Sequence, residues 1–314
     1  MPSLPAPSKR RGSMIMNTQE WSNLLANALT ALEAGKDGEA RDLLAMASER
    51  GSHMAAGLLH TLAGSEVSNA YDQPRAFERF IRGDGNRALY DAVSAELASI
   101  YATHRPHSLL DIGAGDGMAL APAVRASDDA INRLDVVEPN TTLLASLMAN
   151  LPMVEGHETT LEQFVSDLPA TAHWDMAQST FALQSIAPDA RKTALRLLAA
   201  HVDRLVIVEF DVPDLVAGTP EYRASLAARY EQAASDCGED AELVAGGFLA
   251  PMLLGQLRAA EPSNHEQSKT AWIIELADAG FRVVRVTHVH AYSWANAFLI
   301  EAVPVGHSLD QPTN

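Results

Sequence analysis

The stretch "LLDIGAGDGMAL", residues 109–120, restricts the fold more than any other part of the chain. An apolar run leads into Asp111, and glycines follow at alternate positions, Gly113, Gly115 and Gly117. Glycine lacks a Cβ, so a loop built from it can take positive φ and let a ligand come close to the backbone. A strand, a glycine loop and a helix in that order make the first unit of a doubly wound sheet, where ligands bind beyond the carboxyl ends of the strands.

The flanking sequence repeats the alternation. Strand-like runs cover Ser108–Ile112, Arg133–Glu138, Met153–Glu155, Asp175–Gln178 and Arg204–Phe210, with helical periodicity over 118–126, 141–150 and 189–201. Right-handed βαβ units of this kind give a parallel sheet covered on both faces. A helix around 270–279 then precedes "FRVVRVTHVH" and "ANAFLIEAV", two strands with a short connection, which predicts an antiparallel pair at the sheet edge. The expected fold class is α/β: a Rossmann-like, seven-stranded, mostly parallel sheet with an antiparallel last strand, an N-terminal helical region and a helical insertion after the fifth strand.

The expected organisation is a disordered leader over 1–16, with Met14 or Met16 as alternative starts, and helices over 17–73. A main domain follows over 74–304, carrying an insertion over 212–269, and then a tail over 305–314. Leu24, Leu25, Ala28, Leu29 and Leu32 recur at helical spacing, as do Leu43, Leu44 and Met46, and Thr18 reads as the first N-cap. These apolar faces suit packing on the body or a homodimer. The insertion, with Tyr230, Phe248, Met252 and the apolar "FLAPMLLGQL", reads as a lid over the strand ends or as plain core packing.

The formal net charge of −17 over 314 residues argues against nucleic acid and anionic membranes as partners, since both need clustered Lys and Arg. One cysteine, Cys237, leaves no intrachain disulfide and no thiolate zinc site, which fits a cytoplasmic protein. No apolar run reaches the length of a membrane span.

The loop's chemistry narrows its ligand. Asp116 in its middle and Asp111 ahead of it are poor neighbours for a diphosphate. They suit a ligand bearing an ammonium and a sulfonium. Glu138 ends the second strand in "LDVVEPN", roughly 20 residues beyond the loop, where an acid accepts hydrogen bonds from ribose hydroxyls. On these residues the chain resembles class I S-adenosylmethionine-dependent methyltransferases. "LLDIGAGDG" is similar to that family's first motif and "VVEPN" to its second; "TTLEQF" and "WDMAQSTFALQSI" resemble the stretches at its third and fourth strands.

The resemblance spans roughly residues 75–303 and implies S-adenosylmethionine as cofactor. It implies Gly113 and Gly115 under the methionine and ribose, Asp111 on the ammonium, and Glu138 on the ribose diol. Pro139 and Asn140 would lie near the adenine, Thr160 and Leu161 at its border, Gln178 beside the sulfonium, and Tyr90 closing the pocket. Bacterial indole C3-methyltransferases of secondary metabolism are the members it resembles across several segments, which implies a small aromatic acceptor methylated on carbon.

On the acceptor side, "VIVEFDVPD" puts Glu209 and Asp211 at the carboxyl end of the fifth strand. His265 and Glu266 in "SNHEQSKTAW", and His290 and Tyr292 in "HVHAYSWAN", are candidates for removing the acceptor's proton. Asn264 capping a helix is the structural alternative for the first group. Tyr230, Phe248, Met252, Trp272, Trp294 and Glu209 are candidates for binding the acceptor. His288 and His290 alternate onto one face of a strand, but with no third ligand no metal site is expected. The competing activities are α-keto acid C-methylation, N- or O-methylation of a small metabolite, NAD-dependent oxidoreduction, and a non-catalytic subunit that binds the nucleoside.

Overall fold

The computed structural model describes residues 10–64, 73–127, 131–259 and 264–306. Residues 1–9 of the expected leader and 307–314 of the expected tail lie outside them. The chain divides into two compact units, Met1–Asn86 with Leu215–Pro262, and Arg87–Asp214 with Ser263–Asn314.

The first unit is helical. It holds α1 (Arg10–Glu33), α2 (Asp37–Glu49), α3 (His53–Ala63) and α4 (Pro74–Ile81), then α10 (Pro220–Ser235), α11 (Ala241–Val244) and α12 (Ala250–Arg258). Helix α1 begins at Arg10, which corrects both the leader over its last residues and Thr18 as N-cap. Adding turns to an existing helix costs little, so a formed helix runs past an internal Thr. Leu25, Ala28, Leu29, Leu32 and Leu44 are buried as their spacing predicts, whereas Met46 is exposed. Glu231 of α10 is buried and accepts hydrogen bonds from Ser52 Oγ at 2.7 Å and the backbone N–H groups of His53 and Met54 at 2.8 and 3.0 Å, closing the N-terminus of α3. A short π-helical turn, Ala245–Leu249, runs so close to α3 that a Cβ on Gly57 would stand 2.7 Å from the Ala245 carbonyl.

The second unit is the expected sheet. Helix α5 (Asp84–His104) leads into β1 (Ser108–Ile112), α6 (Leu120–Arg125), β2 (Arg133–Val137), α7 (Thr141–Asn150), β3 (Val154–His157), α8 (Leu161–Asp167), β4 (Met176–Thr180), α9 (Pro188–Leu198) and β5 (Leu205–Phe210). After the helical segment come α13 (Lys269–Asp278), β6 (Phe281–His290) and β7 (Ala297–Pro304). The strand order is β3-β2-β1-β4-β5-β7-β6, with β7 antiparallel to both of its neighbours. Strand β7 is buried throughout, as its unbroken run "AFLIEAV" requires, while β6 carries the exposed Arg282 and Arg285 and forms the edge. Helix α13 is capped by Ser268, whose side chain accepts from the Ala271 N–H, so Asn264 is not its cap.

Side-chain alternation divides the sheet into two faces. Leu109, Val136, Met176, Val206, Val208 and Leu299 pack with α5, α6 and α7. Leu110, Ile112, Val137, Ala177, Ile207 and Ile300 pack with α8, α9 and α13. Each of the larger of these side chains contributes roughly 1.5–3 kcal/mol of burial. This division sets the site: Asp111 and Gln178 point to the α5 face, and Glu209 to the α9/α13 face.

Candidate functional site

The loop after β1 is shaped by its glycines. Gly113, Gly115 and Gly117 have φ of 69°, 59° and 84°. A Cβ on Gly113 would stand 2.3 Å from Ala182 Cβ, and one on Gly117 2.4 Å from Leu147 Cδ1. Those two glycines therefore serve packing. At Gly115 a Cβ would meet nothing within 4 Å, so its open side is where a ligand can lie against the backbone.

Asp111 is buried directly below this loop. Its Oδ2 accepts a hydrogen bond from Gln178 Nε2 at 2.6 Å, and Gln178 Oε1 in turn accepts from the Tyr101 hydroxyl at 2.5 Å. Asp111 Oδ1 has no partner among the described residues. Burial pushes the Asp111 carboxyl up to about 7; the Gln178 hydrogen bond opposes the shift, and the Glu138 charge adds to it. A buried acceptor without a donor is costly, so Oδ1 fits a ligand that brings a cationic N–H.

Glu138 is also buried. Its Oε2 accepts from the Gly115 N–H and its Oε1 from the Asn140 N–H, each at 2.9 Å. A carboxylate offers about four acceptor positions, so each oxygen keeps one for a hydroxyl of a diol. Tyr90, on α5, packs on the same core as Ala114 of the loop; burial and then the Asp116 charge push its phenol up to about 12, leaving a neutral hydroxyl. Asp111, Gly113, Gly115, Glu138 and Tyr90 are thus brought together, and they fit the ammonium and ribose that the resemblance implies.

Other expected cofactor contacts also have structural partners. Gln178 is fully buried with both ends of its amide engaged, so it positions Asp111. Asn140 caps α7, its Oδ1 accepting from the N–H groups of Thr142 and Leu143 at 3.0 and 3.1 Å. Pro139 is exposed in the turn between them. Thr160 caps α8 through the Gln163 N–H at 3.4 Å, and Leu161 is buried in the α8/α9/α13 core.

The carboxyl ends of β4 and β5 carry Phe181 and Phe210, which the sequence did not single out and which join Tyr90 and Tyr292 in a row of aromatic rings. Phe181 and Phe210 stack at 4.3 Å and 8°, Phe210 and Tyr292 at 5.6 Å and 22°, and Tyr90 meets Phe181 edge-on at 6.0 Å. All four are partly buried and pack on the same core as Ala114 of the glycine loop. Phe181 takes φ of 53°, a conformation that costs a bulky residue of order 1–3 kcal/mol and persists only where its surroundings demand it. The missed signal is the pair of Phe residues just past two adjacent parallel strands.

On the opposite face of β5, Glu209 is buried with neither carboxyl oxygen in a hydrogen bond of standard geometry. Burial pushes it up to about 8. The Arg191 charge and the N–H groups of Gln184 and Leu183, outside standard geometry, oppose this, and the Glu266 charge adds to it. Arg191 is otherwise spent. It pairs with Glu275 at 2.6 and 2.8 Å, donates to the Leu183 and Ile186 carbonyls, and lies over the Trp272 ring at 4.3 Å.

Glu266 Oε1 accepts from Trp294 Nε1 at 2.5 Å, which joins the 264–268 segment to the β6–β7 connection. His265 anchors that segment through its backbone N–H to the Gln184 carbonyl at 2.7 Å. Asp211 pairs with Lys269.

Several acceptor-side expectations are corrected. Trp272 is fully buried in the core beneath Arg191. Tyr230 and Phe248 are buried within the helical unit, Tyr230 donating to Gln256 Oε1 at 3.0 Å and Phe248 packing on Phe77 and Phe80 at 5.3 and 5.0 Å. Aromatic content alone does not distinguish a wall from a core. Met252 is half-buried on α12. A bulge between His288 and His290 breaks the alternation that would have put both on one face.

No family model and no curated protein matches the chain. Among solved structures it is similar to the magnesium protoporphyrin IX methyltransferase of Synechocystis PCC 6803 with bound SAH, at 16% identity over 74% of this chain and 96% of that one, with a TM-score of 0.47. It is similar to mitomycin 7-O-methyltransferase at 14% identity over 95% and 98% of the two chains, TM-score 0.49. A third likeness is to the 1,6-didemethyltoxoflavin-N1-methyltransferase of Burkholderia thailandensis, at 16% identity over 81% and 90%, TM-score 0.46.

Proposed function

We propose that the chain is an S-adenosylmethionine-dependent methyltransferase acting in secondary metabolism on a small aromatic metabolite of the indole type, with transfer to carbon. One observation carries the reading: the unpartnered, buried Asp111 Oδ1 at the carboxyl end of β1, the strand that leads into the loop whose Gly115 N–H donates to Glu138. A carboxylate pair around a glycine loop favours a cationic donor and disfavours the diphosphate of a dinucleotide. The donor supplies a methyl group already activated on a sulfonium.

What remains for the chain is alignment and the exclusion of water, which together can supply roughly 7–11 kcal/mol of a barrier. Asp111 holds the ammonium and Glu138 the diol. Tyr101 and Gln178 fix the Asp111 carboxyl, and Tyr90 covers the loop. The aromatic acceptor is supported by the Phe181, Phe210 and Tyr292 row, against which a planar ring stacks with its edge free. Incubation with methyl-tritiated S-adenosylmethionine and a panel of indoles and tryptophan derivatives tests the reading. Label moving into an aromatic product is expected. Absence of transfer to any member, together with no binding of S-adenosylhomocysteine, would remove it.

A further inference from the structure

Thr180 closes β4 with a hydroxyl that the fold leaves idle. The strand runs Met176–Thr180, and its last two residues each carry a hydroxyl. Ser179 is 1% exposed and donates to the Ile112 carbonyl at 2.9 Å, so it ties β4 to β1. Thr180 Oγ1 is also buried, yet it has no hydrogen-bond partner among the described residues. A buried hydroxyl without a partner costs the folded chain free energy. The residue as a whole is partly exposed where Gln178 and Ser179 are sealed, so the open end of β4 begins at Thr180. Staggered χ1 wells let the hydroxyl turn to that side without moving the strand.

The sheet register places this hydroxyl. Asp111 pairs with Gln178 across β1 and β4, and their side chains are hydrogen-bonded at 2.6 Å on the α5 face. Two residues further along β4, Thr180 returns to the same face, roughly 7 Å beyond Gln178. Its register partner on β5, Val208, packs in the core of that face. The glycine loop meets the same end of β4, since a Cβ on Gly113 would stand 2.3 Å from Ala182 Cβ. Gln178 has its amide oxygen and nitrogen engaged by Tyr101 and Asp111. Among the described residues, Asp111 Oδ1 and Thr180 Oγ1 are the buried side-chain oxygens of this face left without a partner.

We propose that Thr180 is a second anchor for the donor's ammonium, its hydroxyl oxygen accepting one N–H while Asp111 Oδ1 accepts another. This rests on the methyltransferase reading and deepens it by naming how the amino-acid end of the donor is fixed. An ammonium carries three N–H donors, so acceptors on neighbouring strands can share it. One anchor holds the ammonium but lets the methionine chain swing about it. Two anchors set the direction in which that chain leaves, and with it the aim of the sulfonium at the chain's other end. Thr180 takes no proton and forms no bond in the transfer.

Calorimetry on the full chain tests this with two ligands, S-adenosylhomocysteine and methylthioadenosine, which keeps the nucleoside and the sulfur but lacks the amino-acid end. Thr180→Val replaces the hydroxyl with a methyl group of similar size. It is expected to weaken S-adenosylhomocysteine about tenfold, the loss of one hydrogen bond to a charged group, and to keep methylthioadenosine within about twofold. Thr180→Ser retains the hydroxyl and should hold S-adenosylhomocysteine within about threefold of the wild type. Without ligand, Thr180→Val should match or exceed the wild-type Tm, because the hydroxyl it removes had no partner.

The proposal is overturned if Thr180→Val weakens S-adenosylhomocysteine by less than about threefold, if it weakens methylthioadenosine equally, or if Thr180→Ser binds no better than Thr180→Val. Failure of Thr180→Val to fold, or a Tm well below the wild type, also overturns it, since the hydroxyl would then hold the fold. If methylthioadenosine does not bind the wild type, the S-adenosylhomocysteine ratios and the Tm decide. Failure of the wild type to bind S-adenosylhomocysteine would instead count against the methyltransferase reading itself.

Discussion

Asp111 is buried with half of its carboxyl unpartnered, and asparagine there would relieve the folded chain of a charge. Folding raises its pKa from 3.8 to about 7, so between these values the folded chain binds more protons than the unfolded one. Stability therefore falls as pH rises through that window and levels off above it. Asp111→Asn is expected to flatten this slope in urea unfolding of the ligand-free protein; an unaltered slope would show that Asp111 is not the group responsible. A bound ammonium favours the carboxylate, so the effect on ligand binding has the opposite sign. Affinity for S-adenosylhomocysteine should rise by up to about tenfold per pH unit below 7, with proton release, and then level off. Calorimetry in buffers of different ionisation enthalpy reads both.

The glycines separate in the same way. Gly113→Ala meets Ala182 at 2.3 Å and should lower Tm strongly. Gly115→Ala meets only the cost of its φ, of order 1–2 kcal/mol. It should nonetheless weaken ligand binding by tenfold or more, because its methyl fills the open side of the loop. Equal effects of the two substitutions on binding would refute that assignment.

Among the elements, the caps show where a sequence motif and a helix start read alike. Thr160 begins α8 with the same residues that could border an adenine, and the structure gives it the cap. Thr160→Ala should cost about 1 kcal/mol, seen as a drop in Tm, with S-adenosylhomocysteine affinity kept within about twofold. A tenfold loss of affinity would restore the cofactor role. The strand β1, its loop and Glu138 were legible because three features recur within 30 residues: an apolar run, spaced glycines and an acid closing the next strand. The Phe181–Phe210–Tyr292 row was not legible. It depends on β4 lying beside β5, and on the β6–β7 connection reaching the same end, and neither adjacency is local in sequence. Trp272 failed for a different reason: it was read with the polar segment just ahead of it, while its own helix turns it into the core.

At the scale of the whole chain, local periodicity found nearly every helix and strand but not how the helices group. Residues 212–269 read as an addition to the sheet domain, whereas Leu215–Pro262 form one compact unit with the N-terminal helices. Burial of Tyr230 and Phe248 follows from that grouping, and no spacing within the segment announces it. The class of fold was legible because alternation of strand and helix is a property of the entire second unit. The central claim is electrostatic: the loop and its two carboxylates were built for a cationic nucleoside ligand. Isothermal titration of the wild type and of Asp111→Asn/Glu138→Gln, with S-adenosylhomocysteine and with NAD, tests it most directly. The account predicts micromolar or tighter binding of S-adenosylhomocysteine, at least a 100-fold loss in the double variant, and no binding of NAD; tight binding of NAD, or an unchanged affinity in the variant, would contradict it.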